Sequence, residues 1–159
     1  MEISRKTDYA IRMLAELVLA DGDVVSVRHA ADSHGVPYSF ARSIQHDLVK
    51  AGIIESVRGS HGGMRLAVDA QAVTLRAVVE AVQGPIYVAT CDVAGEDEGP
   101  CPFRPECKFN PIWCEAERLL RDYFDAVTLY QAAVEGRIPT LLEGRGFTPL
   151  TREERANLA

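Results

Sequence analysis

The sequence predicts a mainly α chain, a winged helix-turn-helix followed by a long C-terminal dimerisation helix. Three observations predict it. Apolar residues recur at helical spacing in three segments before Gly52. Two short runs of alternating character then flank a glycine-rich hexapeptide. From Trp113 onward, apolar residues step by three and four over about three heptads.

Residues 4–20 form the first predicted helix, with Ala10, Ile11, Leu14, Leu17 and Val18 on one face, and Asp21-Gly22-Asp23 ends it. Ser26 is placed to cap a short second helix through Ser33. Gly35 occupies the position past its end, where a left-handed residue is needed, and Val36-Pro37 redirects the chain. A third helix runs from Tyr38 to about Ala51, with Phe40, Ala41, Ile44, Leu48 and Val49 as its inward face. The period then changes. Residues 53–57 and 64–68 read as two strands around Arg58-Gly59-Ser60-His61-Gly62-Gly63. A fourth helix spans about Thr74 to Gln83 and stops at Gly84-Pro85. Residues 91–110 are punctuated by Gly95, Gly99, Pro100, Pro102 and Pro105 and read as a loop. Asn110, with Pro111 at the first position, begins a helix predicted to reach about Gly136. The expected organisation is therefore a winged helix-turn-helix over 1–84, a cysteine loop over 85–110, a dimerisation helix over 111–136 and an irregular tail over 137–159.

The net charge of −6 would argue against a phosphate-rich partner if it were evenly spread. It is not. Residues 1–68 hold eight Lys/Arg and eight Asp/Glu, whereas residues 69–159 hold nine and fifteen. All four histidines (His29, His34, His46, His61) fall in the first part and all four cysteines in the second. The N-terminus has no apolar leader segment, and no window approaches the ~18 apolar residues of a membrane span. A cytoplasmic protein with no membrane partner is expected.

Helix, short helix, turn, helix and hairpin is the order of a winged helix-turn-helix. Ala31 supplies the small residue where two helices cross, Gly35 the turn, and Ile44 the apolar residue that packs the next helix back. The helix from Tyr38 is then the recognition helix, and Ser39, Arg42, Ser43 and His46 are its candidates for the major groove of double-stranded DNA. Arg42 is the strongest candidate for reading a base edge, because a guanidinium can bind guanine O6 and N7 together. Ser39 suits a phosphate. In the hairpin, Arg58 and Arg65 could reach backbone or minor groove, with Gly59 allowing close approach. A lone exposed arginine or a glycine-rich turn is ordinarily just solvated surface. It is their occurrence in this order, with the crossing pattern, that points to DNA.

The cysteines are spaced Cys91-x9-Cys101-x5-Cys107-x6-Cys114. No Cys-x-x-Cys pair exists, which disfavours a zinc ribbon and a thioredoxin-like motif. Thiolates loosely spaced on a proline-punctuated loop suit an iron–sulfur cluster, whose spacing is freer. Unliganded thiols or a disulfide switch are the alternatives. An enzyme would need a general base beside the cysteines, and none is evident. The seam of Trp113, Ala116, Leu120, Tyr123, Val127, Tyr130 and Val134 is best buried against a second copy of the chain. A two-fold dimer matches a pseudo-palindromic operator with half-sites about 34 Å apart.

At these residues the sequence resembles the bacterial winged-helix iron–sulfur regulators that include IscR, NsrR and RirA. The resemblance is carried by residues 7–12, by Lys50-Ala51-Gly52-Ile53-Ile54, by residues 56–63 in the wing, and by Cys101-Pro102 and Cys107. It covers about residues 1–135. It implies a homodimeric transcription regulator, in the repressor sense, whose operator affinity follows an iron–sulfur cluster that senses nitric oxide, redox state or cluster status. Carried over, the ligands are Cys91, Cys101 and Cys107, with the 4Fe–4S form ranked ahead of 2Fe–2S. The nine residues between Cys91 and Cys101 exceed the usual family spacing. Where the IscR-like branch has a histidine ligand, this chain has Asn110. The resemblance is nearer to the NsrR-type branch, whose fourth ligand is an aspartate donated by the partner subunit. Asp8 matches that position, with Cys114 as the alternative. A cluster-free thiol/disulfide regulator of the same fold is the competing expectation.

Overall fold

A computed structural model describes residues 2–89 and 101–136. Helix α1 (Arg5–Leu19) starts on Ser4, whose Oγ accepts from the Thr7 backbone N–H. Helix α2 (Val27–Ser33) starts on Ser26 in the same way, through the His29 N–H. Helix α3 (Tyr38–Lys50) begins after Pro37 without a side-chain cap. Strands β1 (Ile54–Val57) and β2 (Gly63–Leu66) pair antiparallel, with Ile54 opposite Leu66 and Val57 opposite Gly63. Helix α4 (Leu75–Gln83) is capped by Thr74, and α5 (Asn110–Asp125) follows a single 3₁₀ turn at Arg104–Glu106. The chain is thus mainly α with a small β-hairpin.

The core lies where α1 packs against α3 and α4 while α2 packs on α3. Ala10, Leu14, Ala30, Ala31, Ala41, Ile44 and Val78 are fully buried there. The helix-turn-helix follows the expected plan. Ala31 lets α2 and α3 approach, Gly35 adopts a φ of +62°, and the Val36 N–H returns to the Ala31 carbonyl at 2.8 Å.

The wing is fastened more firmly than a bare hairpin. Val25, just ahead of α2, exchanges two backbone hydrogen bonds with Met64, each 2.9 Å. A Cβ on Gly63 would lie 2.3 Å from the Val25 carbonyl oxygen, so glycine is the residue that allows this approach. Met64 is fully buried beneath it.

Three expectations need correction. Phe40 and Val49 do not face inward; both are exposed, and Gln45 is buried on that face instead. Phe40 packs its ring edge-on against Tyr9, with centroids 5.9 Å apart. Asn110 does not cap α5. It is the first helical residue, and its Oδ1 lies 3.7 Å from the Cys114 thiol.

The third correction concerns the last helix, which does not run to Gly136. α5 ends at Asp125, and the chain turns inward so that Val127 and Leu129 join the core of the domain. Leu75 N–H donates to the Val127 carbonyl and Leu129 N–H to the Val73 carbonyl, each at 2.8 Å. The cause is a new helix start. Thr128 Oγ1 accepts from the Gln131 N–H, and Gln131 Oε1 accepts from the Thr128 N–H, a reciprocal capping box that opens the turn Gln131–Glu135. The heptad seam is therefore interrupted. Val127 is buried in its own chain, Tyr130 packs against the core, and Val134 stands exposed on a separate turn.

Candidate nucleic-acid interface and cysteine segment

Helix α3, the start of α2 and the wing enclose an open groove of about 610 Å³. Arg42 and His46 line it from α3, Arg58 and Gly59 from the wing turn, and Arg28 from α2. Ser39 and Ser43 are exposed on α3 outside this lining. The structure thus brings Arg42, His46, Arg58 and Gly59 to one concave surface. Gly59 reaches it with a φ of +118°, a conformation that favours glycine.

Arg65 is placed differently. Its Nε donates to Glu55 Oε1 at 2.6 Å across the hairpin, in register with the strand pairing. Among the described residues, Arg58 has no such partner, so it is the freer of the two wing arginines. Arg28, Tyr38 and Gln45 are among the groove residues that the sequence did not single out. The Arg28 guanidinium stacks over the Tyr38 ring, 4.7 Å from its centroid. Gln45 could have been noticed. It falls between Ala41 and Leu48 at i+4 and i+7 spacing, a polar residue on an apolar stripe. Its partner Arg42 lies one turn earlier on α3, but Ser56 lies on β1, and no sequence period joins that strand to the helix.

The cysteine segment is built by local backbone bonds. Arg104 N–H donates to the Cys101 carbonyl at 3.0 Å, and Cys107 N–H to the Arg104 carbonyl at 3.4 Å. Cys101 and Cys107 therefore sit at the two ends of one turn, both partly exposed and neither in a disulfide. A cavity of about 620 Å³ opens beside Cys107, walled by Phe103 and Phe109. Cys114 is free and exposed on α5. Cys91 lies outside the described residues, as does the tail from 137. Among the described residues no three His, Cys, Asp or Glu side chains converge on one point.

Asp8 projects from the first turn of α1, half-exposed, and accepts from Arg12 Nε at 3.0 Å. Two residues earlier, Lys6 forms an ion pair with Asp47 of the recognition helix α3. Three further contacts of charged side chains tie α5 to the domain. Arg121 Nη2 donates to the Ile86 carbonyl at 3.0 Å, and Glu117 Oε2 accepts from the Val88 N–H at 3.3 Å. Arg76 pairs with Asp125 at 3.1 Å. No residue of α5 is fully buried, and Phe109, Ile112, Trp113 and Leu119 leave an apolar strip exposed along and before it. No helix among the described residues is long and apolar enough to cross a membrane.

Residues 3–135 match the Rrf2 family, described as "Iron-dependent Transcriptional regulator". The chain is 34% identical over 131 residues to Protein aau3 of Rhizobium meliloti, covering 82% of this chain and 81% of that one. It is 30% identical over 144 residues to the HTH-type transcriptional repressor NsrR of Streptomyces coelicolor, covering 89% and 95%. The fold is shared with CymR (YrzC), the global cysteine regulator of B. subtilis, at a TM-score of 0.66 and 24% identity, covering 85% of this chain and 98% of that one. Relatives named NsrR and IscR both occur, so identity at this level selects no branch. The family is one of regulators, not enzymes. The chain belongs to the Rrf2 family of DNA-binding transcriptional regulators.

Proposed function

We propose that this protein is a homodimeric repressor whose operator affinity is governed by an iron–sulfur cluster. The observation that carries the reading is the folded turn that holds Cys101 and Cys107 at its ends as free, partly exposed thiols, with Cys107 lining a cavity. Thiolates are the donors such a cluster takes. The residues present fit the group in part: Cys101 and Cys107 would hold it, with Cys91 as the third thiolate. Asp8 of the partner subunit would be the fourth ligand, as in the NsrR-type branch, with Cys114 as the alternative. The repressor sense is supported by the name of the Streptomyces relative. When bound, the cluster would supply iron open to small molecules such as nitric oxide, because a carboxylate is a harder and weaker iron ligand than a thiolate.

The chain's own residues supply the link to DNA. Released from ligation, Asp8 has Arg12 as its partner on the same helix. A change in the seat of α1 would pass to the recognition helix through Lys6 and Asp47. Dimerisation would use α5, through the exposed Trp113 and the half-buried Ala116, Leu120 and Tyr123. Val127, Tyr130 and Val134 drop out of a continuous seam for the reason given above. DNA contact would be made by Ser39, Arg42, Ser43, His46, Arg58 and Gly59, with Arg65 secondary because Glu55 holds it.

Anaerobic purification with iron and sulfide analysis, followed by operator binding with and without nitric oxide, tests the reading. A brown protein whose operator affinity changes on cluster loss supports it. A colourless protein with four titratable thiols overturns it in favour of the disulfide-switching regulator. Asp8→Ala tests the route. If its operator affinity responds to cluster loss as strongly as wild type, the α1 coupling is wrong.

A further inference from the structure

Gln45 is an anomaly in the core. Only Thr7 and Gln45 are polar side chains buried among the described residues, and Gln45 is 7% exposed. A buried amide is tolerated where both ends are matched. Here they are. Arg42 Nη1 donates to Gln45 Oε1 at 2.7 Å, and Gln45 Nε2 donates to Ser56 Oγ at 3.1 Å. The chemistry permits one amide orientation only. Arginine has no acceptor, so the amide oxygen must face it, and the amide nitrogen is left for the serine oxygen. The chain Arg42–Gln45–Ser56 therefore runs from the recognition helix through the core edge to strand β1 of the wing.

We propose that Gln45 is a positioning residue for base readout, holding Arg42 against the wing through Ser56 so that one edge of its guanidinium is presented to the major groove. With Nη1 engaged, the Nε–Nη2 edge keeps the parallel donor pair that a guanine O6/N7 contact requires. A free arginine would have to be ordered on binding; this one is ordered beforehand. Ser56 accepts from Gln45 and retains its own hydroxyl proton. Base preference at the Arg42 position is thereby coupled to how the wing is seated. Nothing in this depends on the state of the cysteine segment.

Selection from a randomised duplex library tests it, with the chain as isolated anaerobically and again after metal removal. Arg42→Ala identifies the base position that arginine reads. Gln45→Met should lower the preference at that position by about tenfold. It should leave the other positions and the salt dependence of binding unchanged, because no phosphate contact is lost. Ser56→Ala should weaken the same position to a smaller degree. Gln45→Glu should retain the preference, since a carboxylate still accepts from Arg42 and can accept the Ser56 proton. The proposal is overturned if Gln45→Met keeps the wild-type preference, if its loss spreads evenly over all positions, or if no position depends on Arg42. Should Gln45→Met fail to fold, Ser56→Ala decides, because Ser56 is exposed. An unchanged base preference in that variant overturns the coupling.

Discussion

The segment from Ser4 to Gln83 and the helix α5 are built on opposite principles. In the first, three of four helices open on a hydroxyl cap, and each buries a face in a shared core. In the second, the helix has no side-chain cap and no buried residue, and among the described residues it is tied down by one ion pair, Arg76 with Asp125, and by two contacts with the backbone of Ile86 and Val88. Trp113 is 43% exposed there, whereas Leu14 and Ile44 are 0% exposed in the core. An amphipathic helix that leaves its apolar side open derives little stability from its own chain. The first region closes its core with Val127 and Leu129 from beyond α5, whereas α5 itself has apolar surface still to bury.

Substitutions can break that contrast. The largest effect is expected in the core. Ile44→Ala removes a fully buried side chain where α3 packs on α1 and α2, and should cost about 3–4 kcal/mol by urea denaturation. Gly63→Ala should cost about 2–3 kcal/mol, because its methyl must displace the Val25 backbone. A melting curve close to wild type would show that the wing is not seated on Val25. Thr128→Ala removes one half of the capping box and should cost about 1 kcal/mol. Leu119→Asp should leave the unfolding of the dilute chain within about 0.5 kcal/mol, as expected for a change at an exposed side chain. Its effect should appear instead in sedimentation, as a loss of self-association. If it unfolds the dilute chain as Ile44→Ala does, α5 belongs to the monomer core after all.

The first region was legible because its signals are local. Ser26, Gly35 and the 3.6 period of α1 each state their structure within a few residues. Arg58 and Gly59 followed from the hairpin they sit in. What escaped reading was non-local or mixed. Thr128-x-x-Gln131 is a capping signature, yet it was hidden inside a seam of apolar residues that kept helical spacing across the break. The apolar period cannot tell a continuous helix from two helical pieces whose phases agree. Gln45 carried a visible oddity, but its meaning depended on Ser56, eleven residues away on another element. The pairing of Arg65 with Glu55 likewise depended on strand register.

The Val25–Met64 bridge has one more consequence. It anchors β2 one residue from the turn, on the chain that leads directly into α2, while residues 58–62 lie beyond the last paired residues Val57 and Gly63. The tip is thus mechanically separate from its mounting. Its length and composition can vary without disturbing the helices, so the wing tip behaves as an exchangeable part on a fixed frame. Transplanting another tip between Val57 and Gly63 should alter which DNA is held while the melting temperature stays where it was.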